Sequence, residues 1–419
     1  MVLDIKKFIK DYNFIYFLLL SFCLGSFFIN LSTAICIIIF VIRFNTIKTY
    51  IHEFKILFYL LIIFWIIFFT STIINSSDDI KVILKSFAYF RFIVLPFVII
   101  YMIDRIDRKK FIIFLNLIVI FLILDIFFQF YFKVDFFGYR LEELGNPRMD
   151  RISGFFGYEL IAGTFLSLFG FLALFLLKKV NIFDEKKYLY FVYFIFLISG
   201  ILITGDRVGV LFIFGIILFN LLFNNNLRNY FLLFFLIFAI LGTAIVKNNE
   251  KLSERYIDKF EPVKNTKIFK NPSFDGIINS PWVSHYLVSW IMIKEKPLLG
   301  FGNHGFRKYC GEFIDKEQIS TYERKCTSHP HNTYFEILVE TGLIGFIVFI
   351  FFNLIIFIKV LKISNQDIFL IYSVIFTILN PIRPSGSFFT TWNGGIFWVI
   401  LGILLYYIFR QLNPSKTKD

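Results

Sequence analysis

The chain has 419 residues, of which 58% are hydrophobic and only 17% are charged. This composition, with a mean hydropathy of +0.73, excludes an ordinary soluble domain, in which about 45–50% of residues are apolar and about 25% are charged. The net charge of +13 does not indicate nucleic-acid binding, because the basic residues lie mostly between apolar blocks, where they set membrane topology.

Apolar blocks of membrane-spanning length recur along the chain. A transmembrane helix needs about 20 apolar residues, so the blocks predict an all-α polytopic membrane protein with about twelve transmembrane helices. The first block, Phe14 to Phe28, lacks a small-residue cleavage site and is interpreted as a span rather than a signal peptide. The predicted spans are 14–28, 27–42, 56–74, 82–103, 111–132, 153–177, 188–204, 208–223, 229–246, 334–358, 367–380 and 391–409.

The basic residues predict which side of the membrane each connection occupies. Lysine and arginine concentrate in alternate short connections, and the rule that positive loops stay inside then makes both termini cytoplasmic. The pair 188–204 and 208–223 has a second interpretation as one interrupted element, which would invert everything that follows. The predicted organisation is an N-terminal bundle over 1–246, a periplasmic loop domain over 247–333 and C-terminal helices with a tail over 334–419.

The long connection 247–333, between predicted helices nine and ten, is polar and rich in charge. Connections longer than about 12–15 residues are usually functional. We expect short helices there, including one from Pro281 to Lys294 that lies in the membrane interface or caps a cavity. Cys310 and Cys326 fall on the side where disulfides persist and are predicted to pair; free thiols and a zinc site are the alternatives.

The sharpest local feature is a His-Pro-His-Asn turn that opens an apolar helix. His329 and His331 flank the proline, and Asn332 is the predicted N-cap. Glu336 and Glu340 follow on one helical face, because residues four apart are neighbours. Two acids in a span usually face a cavity or a partner, so we expect them to orient His331 or to bind an arginine. Simple helix capping and interfacial placement are the structural alternative.

A second feature is a set of arginines at the predicted outer face. Arg207 and Arg383 lie between spans, Arg148 and Arg151 precede the span at 153, and Arg91 lies within a predicted span. Arginine suits bidentate phosphate contacts, and an intramembrane charge indicates function. The alternatives are a solvated surface charge for Arg148 and, for Arg91, pairing with Asp125 or a displaced span.

Together these groups describe a chemistry. Outer arginines can neutralise a developing diphosphate charge, and a neutral histidine can accept the proton of an attacking hydroxyl. This combination fits an anionic lipid headgroup whose phosphate leaves while a hydroxyl is activated.

At these residues the chain resembles the O-antigen ligase and O-antigen polymerase superfamily. The segment HNTYFEILVETG separates His331 from Gly342 by ten residues, and Arg207 and Leu211 are separated by three. The preceding WIMIKEKPLLGFGNHGF resembles the family's Trp-containing helix followed by Pro-Leu-Leu-Gly-x-Gly. The resemblance is specific over about 280–346, moderate over 200–211 and architectural elsewhere.

The resemblance implies a membrane-embedded, metal-independent, inverting glycosyltransferase of the bacterial inner membrane with its site facing the periplasm. The donor would be a glycan on undecaprenyl diphosphate, and the acceptor lipid A-core in a ligase or a growing glycan in a polymerase. His331 would be the base or acceptor-positioning residue, and Arg207 a diphosphate contact. Arg383, Arg151 and Arg91 extend the diphosphate site by their predicted depth.

Ligase activity is the prediction, polymerase activity is the alternative within the family, and a lipid-linked glycan transporter or flippase is the alternative of another class. A transporter more often shows inverted repeats and helices broken at matching positions in two halves, and neither is evident in the sequence.

Overall fold

The computed structural model describes residues 11–140, 151–180, 186, 188–257, 281–316, 326–381 and 386–414, and every regular element in these ranges is a helix. The helices are α1 (Phe14–Leu24), α2 (Ser26–Ile42), α3 (Phe44–Glu53), α4 (Lys55–Asn75), α5 (Ile80–Ala88), α6 (Phe90–Ile103), α7 (Arg108–Phe132), α8 (Ala162–Phe165), α9 (Phe171–Leu177), α10 (Tyr188–Ile203), α11 (Arg207–Phe223), α12 (Arg228–Lys247), α13 (Glu250–Tyr256), α14 (Pro281–Glu295), α15 (Gly305–Lys316), α16 (Thr333–Ile363), α17 (Gln366–Ile378) and α18 (Thr391–Leu412).

Six helical stretches within the described ranges are long and apolar enough to cross a membrane, or seven if the bent pair of α2 and α3 counts as one span. The predicted blocks at 14–28, 153–177, 188–204, 208–223 and 367–380 form apolar helices of 10–17 residues instead. The all-helical membrane fold is therefore confirmed, and the count of twelve crossings stays a prediction.

Several predicted element boundaries were wrong. The helix expected from Ser153 begins at Ala162, after a 3-10 turn at Gly154–Phe156, and a π turn at Leu166–Gly170 joins α8 to α9. The predicted loop after α2 is instead the amphipathic helix α3, which bends away from α2 by 94°. Buried Ile47 and Tyr50 hold it against the bundle.

The segment 188–223 is interrupted between α10 and α11, and its assignment to two separate crossings stays a prediction. Gly205 has a positive φ of 66°, and the Asp206 side chain caps α11 by accepting from the Val208 N–H. These two residues end one helix and start the next.

The centre of the bundle is the pair α6 and α18, in which nearly every side chain is buried. Gly402 permits their close approach, because a Cβ there would lie 2.8 Å from Ile99 Cβ and 3.0 Å from Pro96 Cα. Small residues serve this purpose between transmembrane helices, where packing rather than water exclusion drives association. By contrast, only Phe231 and Val246 are buried among the side chains of α12.

A smaller core joins α14 and α15 to the first turns of α16. Its members are Val288, Met292, Ile293, Phe301, Phe306, Cys310, Phe313, Ile314 and Val339. A disulfide between Cys310 and Cys326, with Cα atoms 5.8 Å apart, ties α15 to the segment that precedes the His-Pro-His-Asn turn. The expected helix from Pro281 to Lys294 is present as α14.

Helix α16 is broken at Gly342, where φ is 64° and ψ is −170°. The segment Pro297–Gly302 supplies the hydrogen bonds at the break. Phe301 N–H donates to Val339 O over 2.7 Å, and Gly302 N–H donates to Glu340 O over 2.9 Å. On the other side, Leu343 N–H donates to Pro297 O over 2.8 Å.

The glycines of this segment fit a backbone-to-backbone contact. A Cβ on Gly300 would lie 2.5 Å from Val339 O, and a Cβ on Gly302 would lie 2.5 Å from Thr72 Cα on α4. Real Cβ contacts are never this short. The Pro-Leu-Leu-Gly-x-Gly segment therefore packs closely between α4 and α16.

We expect Gly342→Ala to destabilise the protein. Its backbone conformation costs a non-glycine residue about 1–3 kcal/mol, and the new Cβ would meet Leu298 O at 2.2 Å. Gly242→Ala, in α12 with nothing near its Cβ, should stay within about 1 kcal/mol of wild type. Thermal melts of the detergent-solubilised proteins compare the two, and equal melting temperatures would contradict the role given to Gly342.

Candidate functional site

The His-Pro-His-Asn turn is anchored to the end of α17. Asn332 caps α16 by accepting from Tyr334 N–H at 2.9 Å and Phe335 N–H at 3.2 Å, so the predicted N-cap is confirmed. Its Nδ2 donates to Pro381 O over 2.7 Å, and the Tyr334 hydroxyl donates to Leu379 O over 2.6 Å. These bonds fix the position of the first turn of α16.

Three histidine rings lie together at this turn. The His331 ring centroid is 4.3 Å from that of His329 and 5.6 Å from that of His285, a buried residue of α14. His331 itself has a φ of 58°, which is uncommon for a non-glycine residue. Within the described ranges, no group of three or more His, Cys, Asp or Glu side chains is arranged to hold a metal ion.

Glu336 and Glu340 are both buried on α16, with 1% and 3% of their surfaces exposed. Glu336 accepts from the Phe388 N–H over 2.7 Å. The described contacts of these acids run to backbone groups and to Ser387, and the expectation that they orient His331 or bind an arginine stays a prediction.

Glu340 connects the break in α16 to a second histidine. Its carboxylate accepts from the backbone N–H of His304, and its Oε2 has no partner among the described residues. His304 has a φ of 61° and lies two residues after the Pro297–Gly302 segment. Burial lowers the pKa of its ring, and the charges of Lys85 and Arg307 lower it further. The His304 ring is therefore neutral at pH 7.

Arg207 belongs to a cluster of three arginines. Its Nε and Nη2 donate to the carbonyl oxygen of Arg255 over 2.9 and 2.6 Å, while Arg255 Nε donates to Gly205 O. Arg151 Nη2 lies 3.3 Å from Asp206 Oδ1 and donates to Leu160 O over 2.6 Å. The cluster therefore joins α13 to the start of α11.

Asp206 is the buried carboxylate at the centre of this arginine cluster. Besides capping α11, its Oδ2 accepts from the N–H and the hydroxyl of Thr164 over 2.8 and 2.7 Å. A Cβ on Gly163 would lie 2.5 Å from the Asp206 Cβ, so only glycine permits this approach. Arg151 pairs with this carboxylate directly, whereas Arg207 is bonded to Arg255 and Arg255 to Gly205, the residue that precedes Asp206.

The charged groups of the cluster all act on the phenol of Tyr256. Burial is the main cause that raises the pKa of Tyr256, and the Asp206 carboxylate adds to it. The guanidiniums of Arg255, Arg151 and Arg207 act in the opposite direction, so all four groups lie within electrostatic reach of Tyr256.

The arginine cluster and the His331 turn lie at the same end of the bundle. Helices α11 and α17 are antiparallel, because Phe219 of α11 contacts Phe369 and Tyr372, while Phe212 O accepts from Thr377 nearer the end of α17. Arg207 begins α11, and α17 ends just before Pro381, which holds Asn332.

Arg91 occupies a different part of this end. The predicted span 82–103 is present as the continuous stretch Ile80–Ile103, in which α5 meets α6 at Tyr89, and Arg91 lies in the first turn of α6. Its Nη2 donates to Asn30 Oδ1 over 2.7 Å, and its guanidinium lies 4.7 Å from the Phe92 ring centroid. Pairing with Asp125 does not occur; Asp125 accepts instead from Phe136 N–H over 2.7 Å.

The predictions for Arg383 and Arg148 lie outside the described residues. Two residues that were not among the predicted site residues belong to the described clusters: Arg255 in the arginine cluster and His285 beside His331. Arg255 was one of many basic residues in the long connection, with no motif to distinguish it. For His285, the available signal was a polar residue in the nearly apolar WVSHYLVSWIMI helix.

The comparisons with known proteins agree with the motifs. Residues 192–350 match a family described as O-antigen ligase, and the match spans α10 to the middle of α16. It supports the O-antigen ligase and polymerase superfamily, so the predicted resemblance is confirmed. No curated protein matches the chain.

We expect Asp206→Asn to destabilise the arginine end strongly. Removing one partner of a buried ion pair costs about 3–5 kcal/mol, since the other charge remains buried. The control is Asp78→Asn, whose partner Lys308 lies at 3.4 Å but whose own side chain is 76% exposed. Exposed pairs contribute about 0–1 kcal/mol. Equal losses of melting temperature in the two variants would contradict the role assigned to Asp206.

Proposed function

We propose that this chain, whose O-antigen ligase match supports that superfamily, is a multi-pass inner-membrane glycosyltransferase that moves a glycan from undecaprenyl diphosphate to a hydroxyl acceptor. Ligation to lipid A-core is the favoured reaction, and joining of repeat units on the lipid carrier is the alternative. The observation that carries the proposal is the pairing, at one end of the bundle, of a positively charged arginine cluster with the His331 turn.

The arginine cluster is the proposed diphosphate site. Arg151 pairs with Asp206, and Arg207, Arg255 and Arg151 all lie within electrostatic reach of Tyr256, so we expect a dianionic group to be attracted to this end. A guanidinium carries five donors and can hold a carbonyl oxygen and a phosphate oxygen together. Because the cluster is tied to backbone carbonyls before substrate arrives, it needs little reorganisation as charge develops on the leaving group.

His331 is the proposed base. The acceptor hydroxyl oxygen would form a bond to the anomeric carbon while the bond from that carbon to the diphosphate oxygen breaks. The hydroxyl proton would pass to His331, and the electron pair of the broken bond would leave with the lipid diphosphate. Attack opposite the leaving group inverts the configuration and needs no metal. The left-handed backbone of His331 is a strained conformation of the kind that clusters at functional sites.

The surrounding groups position this base. Asn332 holds the turn on Pro381. Glu336 holds the segment that begins α18 through Phe388 N–H, and Glu340 holds His304. His329 and His285 contact the His331 ring and restrict its orientation. We assign these five residues positioning roles, and Arg91 and Arg383 stay proposed contributors to the diphosphate site.

The sidedness of the protein is also a proposal. The His331 end faces the periplasm and both termini lie in the cytoplasm, because basic residues concentrate at the opposite ends of the helices. The disulfide at the His331 end agrees with this orientation, since disulfides persist outside the cytoplasm.

His331→Ala and Arg207→Ala should abolish glycan transfer while the protein stays inserted and abundant. Loss of a general base lowers the rate by about 10²–10⁴-fold. Transfer is measured in membranes that contain the lipid-linked donor and the acceptor. The matched controls are His52→Ala on α3 and Arg228→Ala at the start of α12, both exposed and at the other end of the bundle. Full transfer by His331→Ala would sink the chemical assignment.

Deletion of the gene should separate the two reactions of the family. Without a ligase, complete polymer stays on the lipid carrier and the core remains bare. Without a polymerase, the core carries a single repeat unit. Surface polysaccharide resolved on a gel reads out the difference, and a normal pattern with neither defect would contradict both enzymatic proposals.

A further inference from the structure

A second charged concavity lies at the end of the bundle opposite His331. It has a volume of about 970 Å³ and lies where α6 and α18 end and where α7 and α17 begin. Helix α17 runs from this cavity to the Pro381 anchor of Asn332, so the length of that helix separates the cavity from the proposed catalytic centre.

The described residues that line the cavity carry more positive than negative charge. Its basic side chains are Arg105, Arg108, Lys109 and Arg410, and its carboxylates are Asp104 and Asp107. The concentration of basic residues in cytoplasmic connections accounts for their number, but it does not require that they line a concave surface.

Both carboxylates are engaged within the protein. Asp104 Oδ2 accepts from the Tyr50 hydroxyl over 2.6 Å and lies 3.8 Å from Arg105. Asp107 Oδ1 caps α7 by accepting from the N–H groups of Lys109 and Lys110. Their negative charge is therefore partly neutralised by local donors.

The basic walls are held in place by aromatic residues. Arg105 donates to the Tyr50 hydroxyl over 2.8 Å, and its guanidinium lies 4.3 Å from the Tyr101 ring centroid. Arg410 donates to the hydroxyl of Tyr406, one turn earlier on α18, over 3.1 Å, and both residues line the cavity. Arginine held by tyrosine presents a fixed fork of donors, which suits a phosphate group.

We propose that this cavity binds a phosphate-bearing ligand at the predicted cytoplasmic face, separately from the glycan-transfer site. Its volume lies within the range of about 300–1,000 Å³ that small-molecule sites occupy. A phospholipid headgroup and a free phosphate or diphosphate share the chemistry that the cavity recognises. The proposal does not depend on the glycosyltransferase assignment.

The test uses the full chain and two probes. Isothermal titration of the detergent-purified protein with inorganic pyrophosphate detects a soluble ligand. Native mass spectrometry of protein from nanodiscs containing phosphatidylcholine and phosphatidylglycerol detects a retained anionic lipid. The variant is Arg108→Gln with Lys109→Gln, and Arg410→Gln removes a charge from the opposite wall.

Lys110→Gln is the matched control. It removes the same charge from the same turn of α7, but Lys110 is 77% exposed and does not line the cavity. Lys109→Gln alone replaces the double variant if the latter is not recovered as a monodisperse protein.

Saturable pyrophosphate binding, or selective retention of phosphatidylglycerol, supports the proposal if the cavity variants weaken it about tenfold per lost contact and Lys110→Gln does not. Binding that is lost equally in Lys110→Gln reflects general surface charge and overturns the proposal. Absence of both pyrophosphate binding and lipid selectivity in the wild-type protein overturns it as well.

Discussion

The broken backbone at Gly342 is the constraint on which the outer end of the protein depends. A helix that breaks at membrane depth exposes N–H and C=O groups, and each unsatisfied group costs several kcal/mol in hydrocarbon. Here the segment Pro297–Gly302 supplies the missing partners on both sides of the break. The long connection is therefore attached to the bundle by backbone bonds at a fixed height.

Two consequences follow for the site. Since Gly302 ends the docked segment, the next residues are held in place: Asn303 N–H donates to Thr72 Oγ1, and His304 N–H reaches the Glu340 carboxylate. The first half of α16 is also freed to take a direction of its own, and Asn332 fixes its far end on Pro381. The first half of α16 is therefore held at both ends, by Asn332 at the histidine turn and by the Pro297–Gly302 segment at the break.

The sequence predicted those features that follow from local patterns. Apolar blocks predicted the helices, Asn332 was recognisable as a cap, and the two loop cysteines were recognisable as a pair. Contacts between distant segments were not predictable. The role of Arg255 depends on the return of α13 to the start of α11. The partner of Arg91 is Asn30 on α2, a contact between helices that hydropathy does not specify.

The partners of Glu336 and Glu340 were likewise not predictable from local patterns. Helical spacing correctly placed Glu336 and Glu340 on one buried face, and it suggested His331 or an arginine as their partner. Their described partners are instead the Phe388 N–H, Ser387 and the His304 N–H, which come from segments far away in sequence. Periodicity fixes the face of a helix, whereas the identity of what packs on that face depends on the tertiary fold.

The ten residues between His331 and Gly342 set both the distance and the rotation between these two positions. At 1.5 Å per residue, the helical piece between them spans roughly 15 Å, and each residue added or removed would turn its end by about 100°. The Pro297–Gly302 segment fixes one end of this helical piece at Gly342, and the bond from Asn332 to Pro381 fixes the other end. The spacing between His331 and Gly342 therefore specifies one distance and one rotation. This gives the spacing a physical reason that neither the histidine nor the glycine supplies alone.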